Sequence, residues 1–138
     1  HFDKVCGYLE RGRAEAQALL GGEGADGYVQ PTIFGAVGRD SALAREEIFG
    51  PVLSVLTFRT PDEAIEKANN TPYGLSAGVW TEKGSRILWV AQRLRAGVVW
   101  ANTFNRFDPT SPFGGYKESG FGREGGRHGL APYLEVDA

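Results

Sequence analysis

Two short segments of the chain combine side chains that can hold a small molecule. The first is Glu46-Glu-Ile-Phe-Gly-Pro51, where two adjacent carboxylates precede an aromatic ring and a turn. The second runs from Ser111 to Gly125 and carries Phe113, Arg123 and Glu124 among five glycines. Carboxylates and guanidinium groups make strong hydrogen bonds, and aromatic rings form walls that exclude water. Folding needs alone do not explain this combination, so both segments are candidate functional regions.

Two other motifs suggest familiar chemistry but have the wrong structural context. Gly120-Phe-Gly-Arg-Glu-Gly125 matches the G-x-G-x-x-G fingerprint of dinucleotide binding, which needs a buried strand before it. The preceding Tyr116-Lys-Glu-Ser119 is not such a strand. Gly74-Leu-Ser-Ala-Gly78 matches the G-x-S-x-G nucleophile elbow, but that elbow needs a helix after the serine, where a strand is predicted. We therefore interpret Ser76 as an ordinary strand residue.

Cysteine and histidine content predicts no metal site and no internal disulfide. His1 and His128 are the only histidines and Cys6 is the only cysteine, and the three lack the spacing of metal ligands. Cys6 lies on the apolar face of the first predicted helix, which indicates a buried, unreactive thiol. A single cysteine fits a reducing compartment, and we expect a cytoplasmic protein.

Length and charge narrow the class of protein. The chain has 138 residues, 41% hydrophobic and 23% charged, with a formal net charge of -2, as is typical of one soluble globular domain. This balance favours neither nucleic acid nor an anionic membrane as partner, and no apolar run reaches the roughly 18 residues that span a bilayer. The chain contains no methionine, not even at position 1, so we expect a fragment of a longer protein.

Hydrophobic periodicity and turn residues predict alternating strands and helices. A first helix is predicted from Phe2 to Leu20, where apolar residues recur at helical spacing until Gly21-Gly22. We further expect strands at 27–34 (with an edge or bulge at Pro31), 52–58, 75–80, 97–102 and 133–136, and helices at 60–70 and 82–96. The order β-α-β-α-β from Val52 onward predicts an α/β fold with a mostly parallel open sheet and flanking helices.

Four blocks of sequence resemble the NAD(P)-dependent aldehyde dehydrogenase superfamily. They are Glu46-Glu-Ile-Phe-Gly-Pro51, Asn69-Asn-Thr-Pro-Tyr-Gly-Leu-Ser-Ala-Gly78, Ala96-Gly-Val-Val-Trp-Ala-Asn102 and Ser111-Pro-Phe-Gly-Gly-Tyr-Lys-Glu-Ser-Gly-Phe-Gly-Arg-Glu-Gly125. Their order and spacing are similar to the C-terminal stretch of the family's catalytic domain, from about residue 2 to the end. The resemblance implies that residues 1–138 are the distal part of that domain, with the start of an oligomerisation strand at about 133–138.

The resemblance implies the oxidation of an aldehyde to a carboxylic acid with NAD or NADP as cofactor. In the family a cysteine thiolate attacks the aldehyde, hydride passes to the cofactor, and water hydrolyses the resulting thioester. That cysteine lies in a Gly-Gln-x-Cys segment, which this sequence does not contain; the general-base glutamate and the Rossmann-type domain are also expected outside it. We therefore expect a fragment without activity of its own, with the remainder of the parent chain as its partner.

The resemblance also implies roles for five side chains. Glu47 would bind the hydroxyls of the nicotinamide ribose, since its two oxygens can accept from both hydroxyls of a diol, and Phe49 would pack near the nicotinamide ring. Phe113 would line the aldehyde tunnel, and Phe107 would shape its mouth. Glu124 would be a buried glutamate that supports proton relay around the general base.

Further resemblances concern the end of the chain and one loop. Arg123 and Glu135 resemble a pair that ties the floor of the active site to the oligomer interface, and Asn102 resembles a residue near that floor. In the loop Asn105-Arg-Phe-Asp-Pro-Thr110, which would shape substrate specificity, Arg106 and Asp108 either meet a charged substrate or face solvent. Pairing of the last predicted strand with a neighbouring subunit would give homodimers or homotetramers.

Two alternatives stay open at this stage. The chain could be a non-catalytic binding or assembly module related to aldehyde dehydrogenases, although the intact Glu47 and Phe49 argue against it. The parent could instead act on semialdehydes or betaine aldehyde, or pass the thioester to coenzyme A, because these branches share the same blocks. The choice between NAD and NADP is also open, because the contact to the ribose 2′ position belongs to the cofactor domain.

Overall fold

The computed structural model describes residues 1–135, and Val136, Asp137 and Ala138 lie outside the described residues. The chain divides into two compact units, the first from His1 to Thr71 and the second from Pro72 onward. The expectation of a single domain therefore stays a prediction.

Within residues 1–135, helices and short strands alternate along the chain. The helices are α1 (Phe2–Glu15), α2 (Ala42–Arg45), α3 (Pro61–Asn69), α4 (Gly84–Ala91) and α5 (Gly126–Leu130), and a 3-10 helix covers Ala131–Tyr133. The strands are β1 (Gln17–Leu20), β2 (Gly24–Ala25), β3 (Tyr28–Val29), β4 (Thr32–Gly35), β5 (Val52–Ser54), β6 (Tyr73–Gly74), β7 (Ser76–Val79), β8 (Val98–Ala101) and β9 (Tyr116–Lys117). The first unit holds α1 to α3 and β1 to β5.

The core of the first unit forms around one face of α1. The helical spacing of Val5, Tyr8, Leu9 and Gly12 places these residues on that face, and all four are buried. Phe34 of β4 is fully buried with them. A side chain at Gly12 would collide with the Phe34 ring, so glycine permits the close approach of helix and strand. The remaining members of this core are Val37, Leu43 and Ile48.

The first helix ends before the sequence predicts. Helix was expected as far as Leu20, but Ala16 is extended (φ -143°, ψ 173°) and Gln17–Leu20 form β1. This strand pairs antiparallel with β4, with Ala18 opposite Phe34. Alanine, glutamine and leucine favour helices by propensity, so the pairing with β4 overrides the local preference here. The predicted helix is wrong beyond Glu15.

The sheet of the first unit has the strand order β1-β4-β5, and β4 runs parallel to β5. The strand predicted at 27–34 is divided at Pro31, which has no N–H to donate: β3 before it pairs with β2, and β4 after it joins the larger sheet. The strand predicted at 52–58 is regular only to Ser54. The Val55 N–H still donates to the Phe34 carbonyl (2.8 Å).

The helix α3 begins as the sequence predicts. The Thr60 hydroxyl accepts from the Glu63 N–H (3.2 Å), and the Glu63 carboxylate accepts from the Arg59 N–H (2.7 Å). Glu63 also pairs with Lys67 one turn later (2.7 Å). The hydrogen bond from Lys67, followed by that from Arg59, holds the pKa of Glu63 below its ordinary value. These bonds satisfy N–H groups that a helix start otherwise leaves unpaired.

The second unit contains a β-α-β arrangement. β7 and β8 are parallel, from Ser76 opposite Val98 to Val79 opposite Ala101, and α4 connects them in the sequence. The helix predicted at 82–96 is shorter in the structure, with eight residues, and its Leu88 is 66% exposed. β6 and β9 form a separate antiparallel pair.

The strand predicted from Tyr133 does not start at that residue, and Leu134 after it is extended (φ -117°, ψ 137°). Tyr133 ends the 3-10 helix, in which Pro132 stands near the start. Proline fixes φ near the helical value, which favours this turn over an extended strand. The rest of the predicted oligomerisation strand, 136–138, lies outside the described residues.

The α/β class predicted from the sequence is confirmed. The parallel pairs are β4–β5 and β7–β8, and the antiparallel pairs are β1–β4, β2–β3 and β6–β9. Within residues 1–135, none of the helices has the length and apolar character needed to cross a membrane.

Candidate active site

The segment Glu46–Pro51 follows α2 in the first unit and is anchored by the core. Ile48 in its middle is buried together with Val5 of α1. A Cβ added at Gly50 would lie 2.9 Å from both methyl groups of Val5, so the backbone of the segment passes close to the helix. Core packing therefore holds the middle of the segment in place and leaves its neighbours to face outward.

Side chains at the start of α1 hold this segment by hydrogen bonds. The contacts are Tyr8 Oη to Glu46 Oε2 (2.6 Å), Lys4 Nζ to the Glu47 carbonyl oxygen (3.0 Å) and His1 Nε2 to the Phe49 carbonyl oxygen (2.7 Å). They join residues that are 38 to 48 positions apart in the sequence. The segment is therefore fixed by one helix along most of its length.

The Glu47 carboxylate and the Phe49 ring are the outward-facing parts of the segment. Glu47 is exposed, and its carboxylate has no hydrogen-bond partner within residues 1–135. The Phe49 ring is 74% exposed, and its backbone has φ +57°, which costs a non-glycine residue roughly 1–2 kcal/mol. The segment therefore presents an unpaired carboxylate and an exposed aromatic ring two residues apart in the sequence.

Aromatic side chains of the second unit form a connected cluster. Phe107 and Phe113 meet edge to face with 4.9 Å between ring centroids, and Phe107 meets Trp100 in the same way at 5.4 Å. Trp100 is buried, and its Nε1–H donates to the Arg106 carbonyl (2.8 Å). Phe104 also meets Trp100 edge to face, with 4.7 Å between ring centroids. This cluster orients Phe107 and Phe113 and can form an apolar wall.

Glu124 is held next to Phe113 by its backbone. The Phe113 N–H donates to the Glu124 carbonyl and the Glu124 N–H to the Phe113 carbonyl, each at 2.7 Å. Glu124 is exposed in this chain, whereas the family resemblance implies a buried glutamate at this position. Sequence blocks identify the residue but not its burial, which depends on what surrounds it in space.

Arg123 and Glu135 form no ion pair with each other within residues 1–135, and their expected role at an oligomer interface stays a prediction. The Arg123 guanidinium instead donates to the carbonyl oxygens of Gly115 (2.8 Å) and Gly122 (2.7 Å), and it lies 5.4 Å from the centre of the Tyr116 ring. Arg123 therefore links Gly115 to Gly122 and stabilises the folded conformation of the glycine-rich segment.

Asn102 connects the ends of the two parallel strands. Its side chain accepts from the Thr81 N–H (2.9 Å) and donates to the Thr81 carbonyl (3.1 Å). Asn102 has φ +51°, a conformation that asparagine tolerates better than most residues. The structure thus gives Asn102 a role in shaping the turn after β8.

In the loop 105–110, Asp108 stabilises a local turn. Its carboxylate accepts from the Thr110 hydroxyl (2.7 Å) and from the Thr110 N–H (2.8 Å). These bonds, the one from the hydroxyl first, hold the pKa of Asp108 below its ordinary value. Asp108 is exposed, which is compatible both with contact to a charged substrate and with contact to solvent. Arg106 is exposed too.

The structure brings Phe107, Phe113 and Glu124 together in the second unit, whereas Glu47 and Phe49 belong to the first. Sequence analysis missed the residues that hold these groups in place, chiefly Tyr8, Lys4 and Trp100. Tyr8 stands at helical spacing from Val5 and could have been found from that signal. The partners of Lys4 and Trp100 are distant backbone carbonyls, which leave no trace in the sequence.

Within 1–135, no group of three or more His, Cys, Asp or Glu side chains could hold a metal ion. Cys6 is a free, half-buried cysteine, and a Cβ at Gly24 would lie 2.8 Å from its Sγ. Cys6 therefore packs against the β2 backbone.

Comparison with known proteins decides the family. A model of the aldehyde dehydrogenase family matches residues 1–138. The chain belongs to the aldehyde dehydrogenase family. The family resemblance read from the four sequence blocks is thereby confirmed.

Relatives are similar along nearly the whole of this aldehyde dehydrogenase chain. A mitochondrial aldehyde dehydrogenase of Equus caballus is 49% identical over 139 residues, which cover 98% of this chain and 28% of the horse protein. Among solved structures, an indole-3-acetaldehyde dehydrogenase in complex with NAD+ is 46% identical with a TM-score of 0.93, covering 99% of this chain and 29% of that one. A betaine aldehyde dehydrogenase from Staphylococcus aureus in complex with NAD+ is 36% identical with a TM-score of 0.92, covering 98% and 28%. The chain spans little more than a quarter of these relatives' length.

Proposed function

We propose that this chain is part of an enzyme that oxidises an aldehyde to a carboxylic acid with NAD+ or NADP+. The observation that carries the proposal is the family match over residues 1–138. Relatives of similar sequence and structure are named as aldehyde dehydrogenases, and several were solved with NAD+. The cysteine nucleophile and the general base would come from sequence outside this chain.

On the cofactor side, Glu47 and Phe49 are proposed to bind the nicotinamide riboside. The Glu47 carboxylate is exposed and without a hydrogen-bond partner among residues 1–135, so it is free to accept from the two ribose hydroxyls. The exposed Phe49 ring offers a flat surface beside it. The bound cofactor would supply the hydride acceptor; the task of these residues is to hold it at a fixed angle.

On the aldehyde side, Phe113 and Phe107 are proposed to line the substrate tunnel. Their edge-to-face contact, backed by Trp100, supports a rigid apolar wall that would keep water from the reacting carbonyl. Glu124 is proposed to assist proton relay to the general base. Its two backbone hydrogen bonds to Phe113 would fix the carboxylate relative to the tunnel wall.

The test of the cofactor assignment is Glu47→Gln in the complete gene product. The amide keeps the size of the side chain but replaces one acceptor oxygen by a donor, so it can no longer accept from both hydroxyls. We expect the dissociation constant of the cofactor to rise about tenfold and hydride transfer to slow, because a hydrogen bond to a charged group is worth roughly 1.5–3 kcal/mol.

The control is Glu66→Gln on the exposed side of α3, whose carboxylate only pairs with Arg39 (2.7 Å). It should leave both quantities unchanged. If Glu47→Gln and the wild type have equal cofactor affinity and equal rates of hydride transfer, the proposal that Glu47 binds the cofactor is wrong.

Assembly, location and cofactor choice are finer proposals. We propose a homodimer or homotetramer, which light scattering would count, and a cytoplasmic location, which cell fractionation would distinguish from the mitochondrial location of the horse relative. Activity assays with NAD+ and with NADP+ would decide between the two cofactors. An acyl-coenzyme A product instead of the free acid would identify coenzyme A as the acceptor of the acyl group. A folded gene product without any dehydrogenase activity would favour a non-catalytic module.

A further inference from the structure

Tyr8 links α1 to the carboxylate pair at the start of the candidate cofactor segment. The side chain is only 9% exposed, and its hydroxyl donates to Glu46 Oε2 at 2.6 Å. This is the short distance expected when a hydroxyl donates to a carboxylate, and such bonds are about twice as strong as neutral ones. The bond joins residues 38 positions apart, so it fixes one element against another.

Two cations lie over the Tyr8 ring. Lys4 Nζ is 5.9 Å and the Arg11 guanidinium carbon 5.7 Å from the ring centroid. Positive charge beside the ring makes the hydroxyl a stronger donor to a carboxylate. Lys4 also donates to the Glu47 carbonyl (3.0 Å). The same face of α1 therefore holds both the Glu46 side chain and the Glu47 backbone.

The backbone between the two glutamates decides where Glu47 faces. Glu46 is extended, with φ -100° and ψ 153°, and successive side chains of an extended backbone point to opposite sides. Because Tyr8 holds the Glu46 carboxylate toward α1, the Glu47 carboxylate is directed away from it. Separation on opposite sides also limits repulsion between the two adjacent charges.

We propose that Tyr8 is a positioning residue for the Glu47 carboxylate. Through Glu46 it sets the orientation of the backbone at 46–47, and so presents Glu47 to a vicinal diol such as the nicotinamide ribose. The inference rests on the proposed function, since it needs Glu47 as the ribose contact. Tyr8 itself touches neither cofactor nor substrate.

The experiment removes only the hydroxyl. Tyr8→Phe in the complete gene product should weaken cofactor binding about threefold to tenfold, with the KM for the aldehyde unchanged. Tyr28→Phe removes an equivalent hydroxyl from a side chain that is 81% exposed, and should change neither quantity. If Tyr8→Phe lowers the melting temperature but leaves the cofactor dissociation constant at the wild-type value, Tyr8 is merely structural and the inference is overturned.

A double-mutant cycle tests the route through Glu46. If Tyr8 acts through this carboxylate, Tyr8→Phe combined with Glu46→Ala binds the cofactor no more weakly than the worse single variant. Losses that multiply would overturn the inference. The Glu47→Gln variant separates this inference from the proposed function. If Glu47→Gln binds the cofactor more weakly while Tyr8→Phe binds it normally, only the role of Tyr8 is rejected. If Glu47→Gln itself binds the cofactor normally, the contact between Glu47 and the ribose is rejected.

Discussion

At the scale of single residues, Phe49 has a backbone conformation that the sequence of the segment Glu46–Pro51 does not reveal. Among the described residues, six non-glycine residues have positive φ, and Phe49 is the only aromatic one. Asparagine and aspartate adopt this conformation readily, whereas a bulky side chain does so at a cost. Strain of this kind persists where the surroundings impose it and often marks a functional site. Here the buried Ile48 and the α1 contacts impose it, and the ring is turned outward.

Phe113 tests the aldehyde side at the same scale. Phe113→Ala would remove one wall of the proposed tunnel together with the edge-to-face support of Phe107 (4.9 Å). We expect the ratio of kcat/KM between bulky and short-chain aldehydes to change about tenfold, while cofactor affinity stays within error. Steady-state kinetics with an aldehyde series would measure both.

The matched control for Phe113 is Phe121→Ala, because Phe121 is 99% exposed and lies in the same glycine-rich segment. It should leave aldehyde preference as in the wild type. A Phe113→Ala variant that lost cofactor affinity but kept its aldehyde preference would contradict the tunnel assignment.

At the scale of elements, local signals succeeded where a cap or a turn residue sets the boundary. The Thr60-Pro61-Asp62-Glu63 run predicted the start of α3, and the structure shows the cap bonds. Prediction failed at Gln17–Leu20, where helical propensity was overridden by pairing with β4. The strand β4, with which these residues pair, lies more than ten residues further along the chain. The periodicity of apolar residues in one short stretch of sequence carries no information about such a distant partner.

The α3 cap gives a stability prediction. Thr60→Ala removes the acceptor of the Glu63 N–H and should lower the free energy of unfolding by about 1 kcal/mol. Chemical denaturation of the complete gene product would measure this. Thr57→Ala, at an exposed position before the helix, should cost much less; equal losses in the two variants would mean that the cap does not stabilise α3.

At the scale of the whole molecule, the sequence identified the family and the fold class but not the surroundings of the site residues. Four blocks in the right order were enough for the family, which the match over residues 1–138 confirms. The exposure of Glu124 and the carbonyl contacts of Arg123 in this chain were not predicted from the sequence. Both depend on contacts that are distant in the sequence, and the chain covers only 28% of the horse relative.

We propose that this chain belongs to an active NAD(P)-dependent aldehyde dehydrogenase. The most direct measurement is to mix the complete gene product with an aldehyde and NAD+ or NADP+, and to follow the reduced cofactor by absorbance and the carboxylic acid by chromatography. We expect reduced cofactor and acid to form in equal amounts. A folded protein that produces neither from a panel of aliphatic and aromatic aldehydes would contradict it.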